Sequence, residues 1–411
     1  MSSDISMLPE VAALVNDDSM LTRKFGKEVV NYYAGSRINR YSFLRADAAF
    51  LRRAAANPKA TFLALENLNP VTIDKRRLGY LTLQDVAPLI GEDPFKLSEK
   101  EAIAAYDSSV VTPIVVFLGM IEDAESSEIK SSEHGNIKGS PVFAVDITPK
   151  GSYEDAAKAL MESIKAKGWS VQERPNGMSL LPEAAAAFAQ ARSMIDWNDR
   201  NKFCAACGNR TLSIQAGYKR ACPPSDLKGG SATEREDCPT RHGISNLCFP
   251  RTDPTMIAAV VSADGQRILL GRQARWPQYW YSTLAGFLEP GEAMEEAVRR
   301  EVWEEAGVKV GRVVIHSTQP WPYPANLMIG AIAQALPGGE DITLNDKELD
   351  DAKWFTMDEV RTAINVGTSS LDGAASSEYK EGDLRIPPQQ AIANRLMSAV
   401  VDGYLTAFPK M

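Results

Sequence analysis

The sequence predicts a mixed α/β (α+β) chain in three parts, spanning residues 1–195, 196–250 and 251–411. Strand-like apolar runs and helix-like stretches alternate in the first and last parts. All five cysteines fall between Cys204 and Cys248, which marks a small module between two larger units. Beyond it, a strand–turn–strand pattern leads into Ala293–Ala306, rich in Ala, Glu, Arg and Met, without internal Gly or Pro and followed by Gly307. At 411 residues the chain has room for two or three full cores.

In the first part, Thr61–Leu65, Val110–Gly119 and Pro141–Asp146 read as strands, and Ser152–Lys167 as an amphipathic helix. Glu122–Lys138 reads as a polar loop. An Ala-rich helix, Pro182–Asp196, continues through Trp197 and Arg200 into Phe203-Cys204. In the last part, Thr255–Ser262 and Arg267–Arg272 form strands around an Ala263–Gln266 turn. Val313–Ser317, Leu327–Gln334 and Ala352–Phe355 are further strands, Gly367–Gly382 a mobile loop, and Gln389–Val401 a helix after Pro387-Pro388. No internal repeat is visible. The net charge of −8 and pI of 5.2 argue against broad, sequence-independent nucleic-acid binding, though a local basic pocket stays open. The longest apolar run, Val110–Ile121, is interrupted by Thr112, Pro113 and Gly119 and is too short to span a membrane, so a soluble chain without a membrane partner is expected. His134, His242 and His316 are the only histidines and none stands in a triad-like setting, which leaves a Ser/Cys–His nucleophile unsupported.

The chemistry lies in Gly286-Phe-Leu-Glu-Pro-Gly-Glu292 and, downstream, Arg300-Glu301-Val302-Trp303-Glu304-Glu305-Ala306-Gly307-Val308. Glu301, Glu304 and Glu305 share one helix face at i, i+3, i+4. Their mutual repulsion is reversed by a divalent cation, and magnesium or manganese suits such oxygen donors. Gly286 and Gly291 permit a tight loop that carries Glu292 toward the helix, and Arg300 is placed to pair with a carboxylate and fix that loop. A solvated acidic face is the ordinary reading of a glutamate run. Here every fixed position of G-x5-E-x7-R-E-U-x-E-E-x-G-U, the Nudix box, is filled. The box and its preceding strands resemble the Nudix α/β/α sandwich, whose enzymes cleave nucleoside diphosphates linked to another moiety.

Downstream of the box, Gln319-Pro320-Trp321-Pro322-Tyr323-Pro324-Ala325-Asn326 resembles the S-Q-P-W-P-F-P-x-S array of the NADH pyrophosphatase (NAD diphosphatase) family, with Thr318, Tyr323 and Asn326 replacing Ser, Phe and Ser. The prolines fix φ and give a stiff extended loop on which Trp321 and Tyr323 offer π-faces to a nicotinamide or adenine ring; aromatics packed into the core are the alternative. Tyr33-Ala-Gly-Ser-Arg-Ile-Asn39-Arg40 with Phe43-Leu-Arg45 resembles the start of the family's N-terminal domain, and Ala191-Arg192 with Trp197 its join to the cysteine module. The resemblance covers roughly residues 25–405. It implies a Nudix sandwich preceded by a zinc ribbon and a mixed α/β N-terminal domain.

The implied reaction is metal-assisted hydrolysis of the diphosphate of NADH or NAD, giving a nicotinamide mononucleotide and AMP. Glu301 and Glu305 are the expected metal ligands, Glu304 a further ligand or base, Ala285 a carbonyl donor and Glu348 the distal acid. Phe249 is implied to flank the base, and Ala393, in Ala391-Ile-Ala393, to lie beside the substrate. Cys204-Ala-Ala-Cys207-Gly208 followed by Cys222 and Cys238 reads as a structural zinc ribbon rather than disulfides, since no signal peptide is visible. The family implies four cysteine ligands, carried here to Cys204, Cys207, Cys222 and Cys238. The family's second pair stands close together, whereas Pro223–Asp237 intervenes here as a surface insertion, so Cys248 and His242 compete with Cys238 as the fourth ligand. Removal of NAD caps from RNA, a non-catalytic zinc-ribbon binding module, and another Nudix substrate are the alternatives. A homodimer is expected, and a cytoplasmic or a peroxisomal location, the terminal Pro409-Lys410-Met411 loosely resembling a peroxisomal address.

Overall fold

The computed structural model describes residues 19–25, 28–123, 127–172, 178–243 and 245–403. The N-terminal unit contains α1 (Met20–Phe25), β1 (Ile38–Asn39), α2 (Ala48–Ala55), β2 (Thr61–Glu66), β3 (Asn69–Thr72), β4 (Tyr80–Leu81), α3 (Leu83–Ile90), α4 (Glu99–Ala104) and β5 (Val115–Ile121). It continues with β6 (Glu128–Ser131), β7 (Gly135–Lys138), β8 (Ser140–Asp146), α5 (Glu154–Ala166), β9 (Ser170–Val171) and α6 (Pro182–Arg200). The sheet runs β1–β5–β8–β2–β3–β9 with β4 also on β2, and β2 and β8 are parallel. One face buries Phe50, Phe62, Phe117 and Phe143; the other packs Leu63, Leu65 and Val116 on Phe188 of α6. Each fully buried phenylalanine contributes about 1.5–3 kcal/mol.

Two expectations change here. The strand begins at Val115, because Val110 and Val111 are exposed and Pro113 lacks a ladder donor. Glu122–Lys138 is not wholly loop: it holds the β6–β7 hairpin, which buries Ile129 and Ile137. Asp47 secures that hairpin by accepting from Ser131 Oγ (2.9 Å), Ser132 N–H (3.1 Å) and Ser132 Oγ (2.9 Å).

The cysteine module has two small ladders, β10 (Leu212–Ile214) with β11 (Lys219–Ala221) and β12 (Ser225–Asp226) with β13 (Thr233–Glu234). The second lies in the insertion, which clips onto the N-terminal unit. Asp226 accepts from the Ser108 N–H (2.9 Å) and Arg235 (2.6 Å), the Leu227 N–H donates to the Tyr106 carbonyl (2.9 Å), and Arg235 stacks 5.2 Å from the Tyr106 ring.

The C-terminal unit contains β14 (Asp253–Val261), β15 (Arg267–Arg272), β16 (Leu284–Phe287), α7 (Met294–Ala306), β17 (Val310–Trp321), β18 (Asn326–Ala335), β19 (Asp351–Thr356), α8 (Met357–Val366) and α9 (Ile392–Val401). Its sheet runs β17–β18–β14–β15–β19, with β16 on β14 and with β14 parallel to β18. Met256, Ala258 and Ala331 face α7; Ile257, Ala259 and Ile332 face α8 and α9. This is the expected α/β/α sandwich. The segment 367–386 is tied down rather than free: Arg385 donates to Ser369 Oγ and the Gly373 carbonyl (both 2.7 Å), and Thr368 bridges Ile386.

The wiring occurs twice, although the sequence shows no repeat. In both units an antiparallel strand (β5, β17) flanks a parallel central pair (β8 with β2, β18 with β14). The central β2 and β14 each take a further antiparallel strand, β4 and β16, and β3–β9 echoes β15–β19. Topology needs only the placement of apolar residues, so it persists where residue identity does not.

The two units meet along β17. Asn31 donates to Ser317 Oγ (3.0 Å) and the Thr318 carbonyl (2.9 Å). Gln319, expected to meet substrate, is instead fully buried. Its amide donates to the carbonyls of Tyr32 (3.0 Å) and Gln390 (2.8 Å) and accepts from the Ile392 N–H (2.9 Å), joining the N-terminal unit, β17 and the start of α9. Register explains this: Gln319 pairs with Met328, whose side chain packs on the α9 face. Gln319→Leu strands the buried Tyr32 carbonyl and Ile392 N–H and the half-buried Gln390 carbonyl, so it should lower unfolding free energy by about 3 kcal/mol. A denaturant titration reads this directly.

Candidate active site and metal sites

Helix α7 starts where the Ala293 N–H donates to Glu296 Oε2 (2.8 Å) and ends at Gly307, whose φ of 73° closes the last turn. Glu301 leans against β16 at Gly286. A Cβ built on Gly286 would stand 2.0 Å from the Glu301 carboxyl carbon. Gly286 therefore serves close approach rather than backbone freedom, whereas Gly291 has the left-handed φ of 84° that its loop requires.

Arg300 uses all five of its N–H donors. Nε and Nη2 grip the Glu292 carboxylate (2.7 and 2.8 Å), Nη2 also reaches the Phe287 carbonyl (2.8 Å), and Nη1 reaches Glu301 and Glu304 (both 2.9 Å). The loop 287–292 is thereby fastened to α7. These bonds hold the Glu292 carboxyl below its usual range. Glu292 and Arg300 are thus positioning residues.

Glu305 is 3 % exposed, and its Oε2 has no hydrogen-bond partner among the described residues. Burial first, then the charges of Glu301, Glu348, Asp346 and Glu304, lift its pKa to about 9. Burial also raises Glu301, with Arg300 opposing it. Glu304 is more exposed, and Glu348 lies on the surface of the 345–350 loop. That loop is fixed on α7 by the Asn345 amide donating to the Trp303 carbonyl (2.7 Å) and the Asp346 N–H to the Glu304 carbonyl (3.2 Å). Asn345 and Asp346 carried no signal in the sequence. An orphaned buried carboxylate oxygen amid further acids fits a hard divalent cation. Ala285, paired with Ile257 on β16, adjoins Gly286 and so lies beside Glu301.

Pro320, Trp321, Pro322, Tyr323, Pro324, Ala325 and Asn326 do not form an extended loop. Pro320 and Trp321 end β17, residues 322–325 make a tight turn, and Asn326 opens β18. Trp321 and Tyr323 are partly buried against the N-terminal unit. Their rings lie 6.1 and 6.3 Å from Tyr33, the Tyr33 and Tyr323 hydroxyls are 3.2 Å apart, and Arg192 stacks 4.7 Å from Tyr323 while donating to the Pro322 carbonyl (2.8 Å). The alternative of packed aromatics thus describes much of both rings. Ala393 lies on the buried face of α9, and Phe249 is half-buried with Lys219 Nζ 5.7 Å from its ring.

The thiols of Cys204, Cys207, Cys222 and Cys238 all lie within 4.8 Å of one another. Arg241 closes the insertion between the last two, donating to the carbonyls of Cys222 (3.0 Å), Pro223 (3.2 Å) and Glu236 (2.8 Å). Cys248 lies apart, 3.8 Å from the Thr240 carbonyl, and His242 pairs with Asp237. Burial opposes ionisation of Cys207, but the Asn209 N–H and further hydrogen bonds outweigh it and lower the thiol to about 6. Four converging sulfurs, one readily ionised, fit a structural zinc.

A NUDIX domain model matches residues 252–371, an NADH pyrophosphatase zinc ribbon domain residues 199–227, and an NADH pyrophosphatase-like rudimentary NUDIX domain residues 10–197. The NAD-capped RNA hydrolase of Schizosaccharomyces pombe is 34 % identical over 375 residues, covering 90 % of this chain and 92 % of that protein. The chain belongs to the NADH pyrophosphatase family of Nudix hydrolases. Human NAD-capped RNA hydrolase NUDT12 is 33 % identical, covering 90 % of this chain and 73 % of its own. Mouse mitochondrial NAD(P)H pyrophosphatase NUDT13 is 33 % identical, with 63 % and 68 % covered. The rudimentary NUDIX match accords with the doubled wiring of this Nudix hydrolase.

Gly286→Ala should leave the fold intact, because only the end of the Glu301 side chain need move. Activity should fall about 100-fold through the displaced carboxylate; circular dichroism beside turnover separates the two effects. Glu305 also sets a pH dependence. Between about 4.5 and 9 the metal-free fold keeps a proton that the unfolded chain has lost, so stability falls as pH rises through that window. Thermal unfolding from pH 5 to 9 should show a decline that Glu305→Gln or added magnesium reduces; identical slopes would refute it.

Proposed function

We propose that this hydrolase cleaves the central diphosphate of NADH or NAD, releasing a nicotinamide mononucleotide and AMP. The observation that carries this reading is the buried, unpartnered Glu305 carboxylate beside Glu301 and the loop held by Arg300. Glu301, Glu304 and Glu305, with Glu348 and the Ala285 carbonyl, would hold magnesium or manganese. Such a cation supplies charge stabilisation to the diphosphate and acidifies the attacking water. The protein's own part is to orient: Arg300 and Glu292 fix the loop, and Gly286 leaves room for Glu301.

Cys204, Cys207, Cys222 and Cys238 would ligate zinc, whose closed donor set leaves it a structural role. The names of the fungal and human relatives support a second reading, removal of an NAD cap from RNA by cutting the same bond. A homodimer, and a cytoplasmic or peroxisomal location, remain part of this proposal; residues 409–411 lie outside the described residues. Among the described residues no helix is long and apolar enough to cross a membrane.

The test is AMP and reduced nicotinamide mononucleotide release from NADH with magnesium or manganese. Glu305→Gln should reduce turnover by about 100-fold or more, since loss of a group merely supporting a metal ligand costs 10–100-fold. Retained turnover in the variant would sink the assignment, and no cleavage by the wild type would redirect the search to capped RNA and ADP-ribose. Light scattering near 45 kDa would exclude the dimer, the chain mass being 44.9 kDa.

A further inference from the structure

Where the N-terminal unit meets the zinc ribbon, the Arg45 guanidinium lies over Tyr218, its Cζ 3.4 Å from the ring centroid. Tyr218 is itself buried and fixed, its hydroxyl 2.7 Å from the Gln190 amide nitrogen. Arg45 is half-buried, and its Nε is shielded from solvent with no hydrogen-bond partner among the described residues. The charge acting on it, besides that of the tyrosine, is a like one: Arg40, exposed just after β1. Among the described residues no carboxylate is among the charges acting on Arg45, in a chain with 53 acidic and 45 basic residues.

Stacking on tyrosine accounts for one face of Arg45 but not for its orphaned donor or its cationic neighbour. A half-buried cation beside a like charge is unfavourable unless an anion joins it. The ring also holds the guanidinium in place, and the N–H donors of a guanidinium form a rigid fork suited to two oxygens of one oxyanion.

We propose that Arg45, stacked on Tyr218, and Arg40 form a second anion site that takes a phosphate group, separate from the acidic helix α7. Its source is either the phosphodiester of an RNA strand or the phosphate of a free nucleotide. The proposal stands on this geometry and does not depend on the NADH reading.

Calorimetric titration of the full chain with inorganic phosphate, without added divalent cation, tests it. Wild type should bind saturably. Arg45→Lys keeps the charge but loses the fork, and Arg40→Gln changes an exposed side chain; each should weaken binding about tenfold or more. A fluorescent ten-nucleotide RNA displaced by phosphate, with a salt slope reduced by about 0.7 in Arg40→Gln, which removes a charge, would identify RNA as the source. Displacement of phosphate by AMP but not by RNA would identify a free nucleotide. No saturable phosphate binding, or variants that bind like wild type, would overturn the proposal. Loss of NADH hydrolysis in Arg40→Gln would overturn the separateness of the site, whereas failure of wild-type NADH hydrolysis would count only against the proposed function.

Discussion

Carboxylates on α7 are pressed together, Glu305 where water cannot screen it, and much of the C-terminal unit is arranged around that repulsion. Glu305 is buried behind Glu301, and Glu348 and Asp346 add negative charge from the facing loop. One permanent cation, Arg300, lies within this group, and it is already shared among Glu292, Glu301 and Glu304. It tethers the loop and one edge of the acidic group without reaching Glu305. The charge left over is what a divalent cation would neutralise. The metal-free protein instead satisfies the constraint by protonation, because a proton is the smaller positive charge available to a buried carboxylate.

The same constraint explains the neighbourhood of α7. Glu301 needs space against β16, so position 286 lacks a Cβ. The facing acidic loop needs anchoring against repulsion, and it gains this from Asn345 and Asp346 bonding to backbone carbonyls near the helix end. Those carbonyls lie in the last turn of α7, where the helix leaves acceptors such as that of Glu304 without internal partners, the Trp303 carbonyl also accepting from the Gly307 N–H. Binding the loop there satisfies the helix end and brings Glu348 toward the other acids at once.

Much of this was legible in the sequence, and the illegible part has a common physical character. The box could be read because its chemistry fixes both residue type and spacing, and α7 then lies where the pattern places it, Met294–Ala306. The cysteines were legible for the same reason, apart from the fourth ligand. Cys238 reaches the others because Arg241 staples the insertion shut through carbonyls, and a backbone acceptor leaves no mark on residue identity. Gln319 misled for the opposite reason. Its polar side chain, in a motif beside the active strand, suggests a ligand contact, but strand alternation turns it toward α9. The β6–β7 hairpin was missed because just two isoleucines in a polar stretch face inward.

The doubled wiring gives the seam its meaning. In the N-terminal unit the stretch between β4 and β5 holds α3 and α4, and neither carries a glutamate triad like that of α7. That unit therefore has the frame of a Nudix sheet without its acidic helix. What it retains is shape and edge chemistry, and both are directed at its partner. Asn31, Tyr33 and Arg192 meet the β17–β18 hairpin through side chains, and Tyr32 meets it through its carbonyl. The proline-rich turn is stiff on its own account, since proline fixes φ. Stiffness does not set direction, and direction here comes from the N-terminal unit: Gln319 fixes the strand, and Arg192 and Tyr33 fix the turn. In the register of β14, the row holding Gly286 also holds Met256 and Ile329, with Thr318 opposite Ile329 on β17. The hairpin held by the N-terminal unit and the strand that receives Glu301 are thus parts of one ladder. The unit without a box therefore holds one end of the ladder in which the unit with a box places its Gly286.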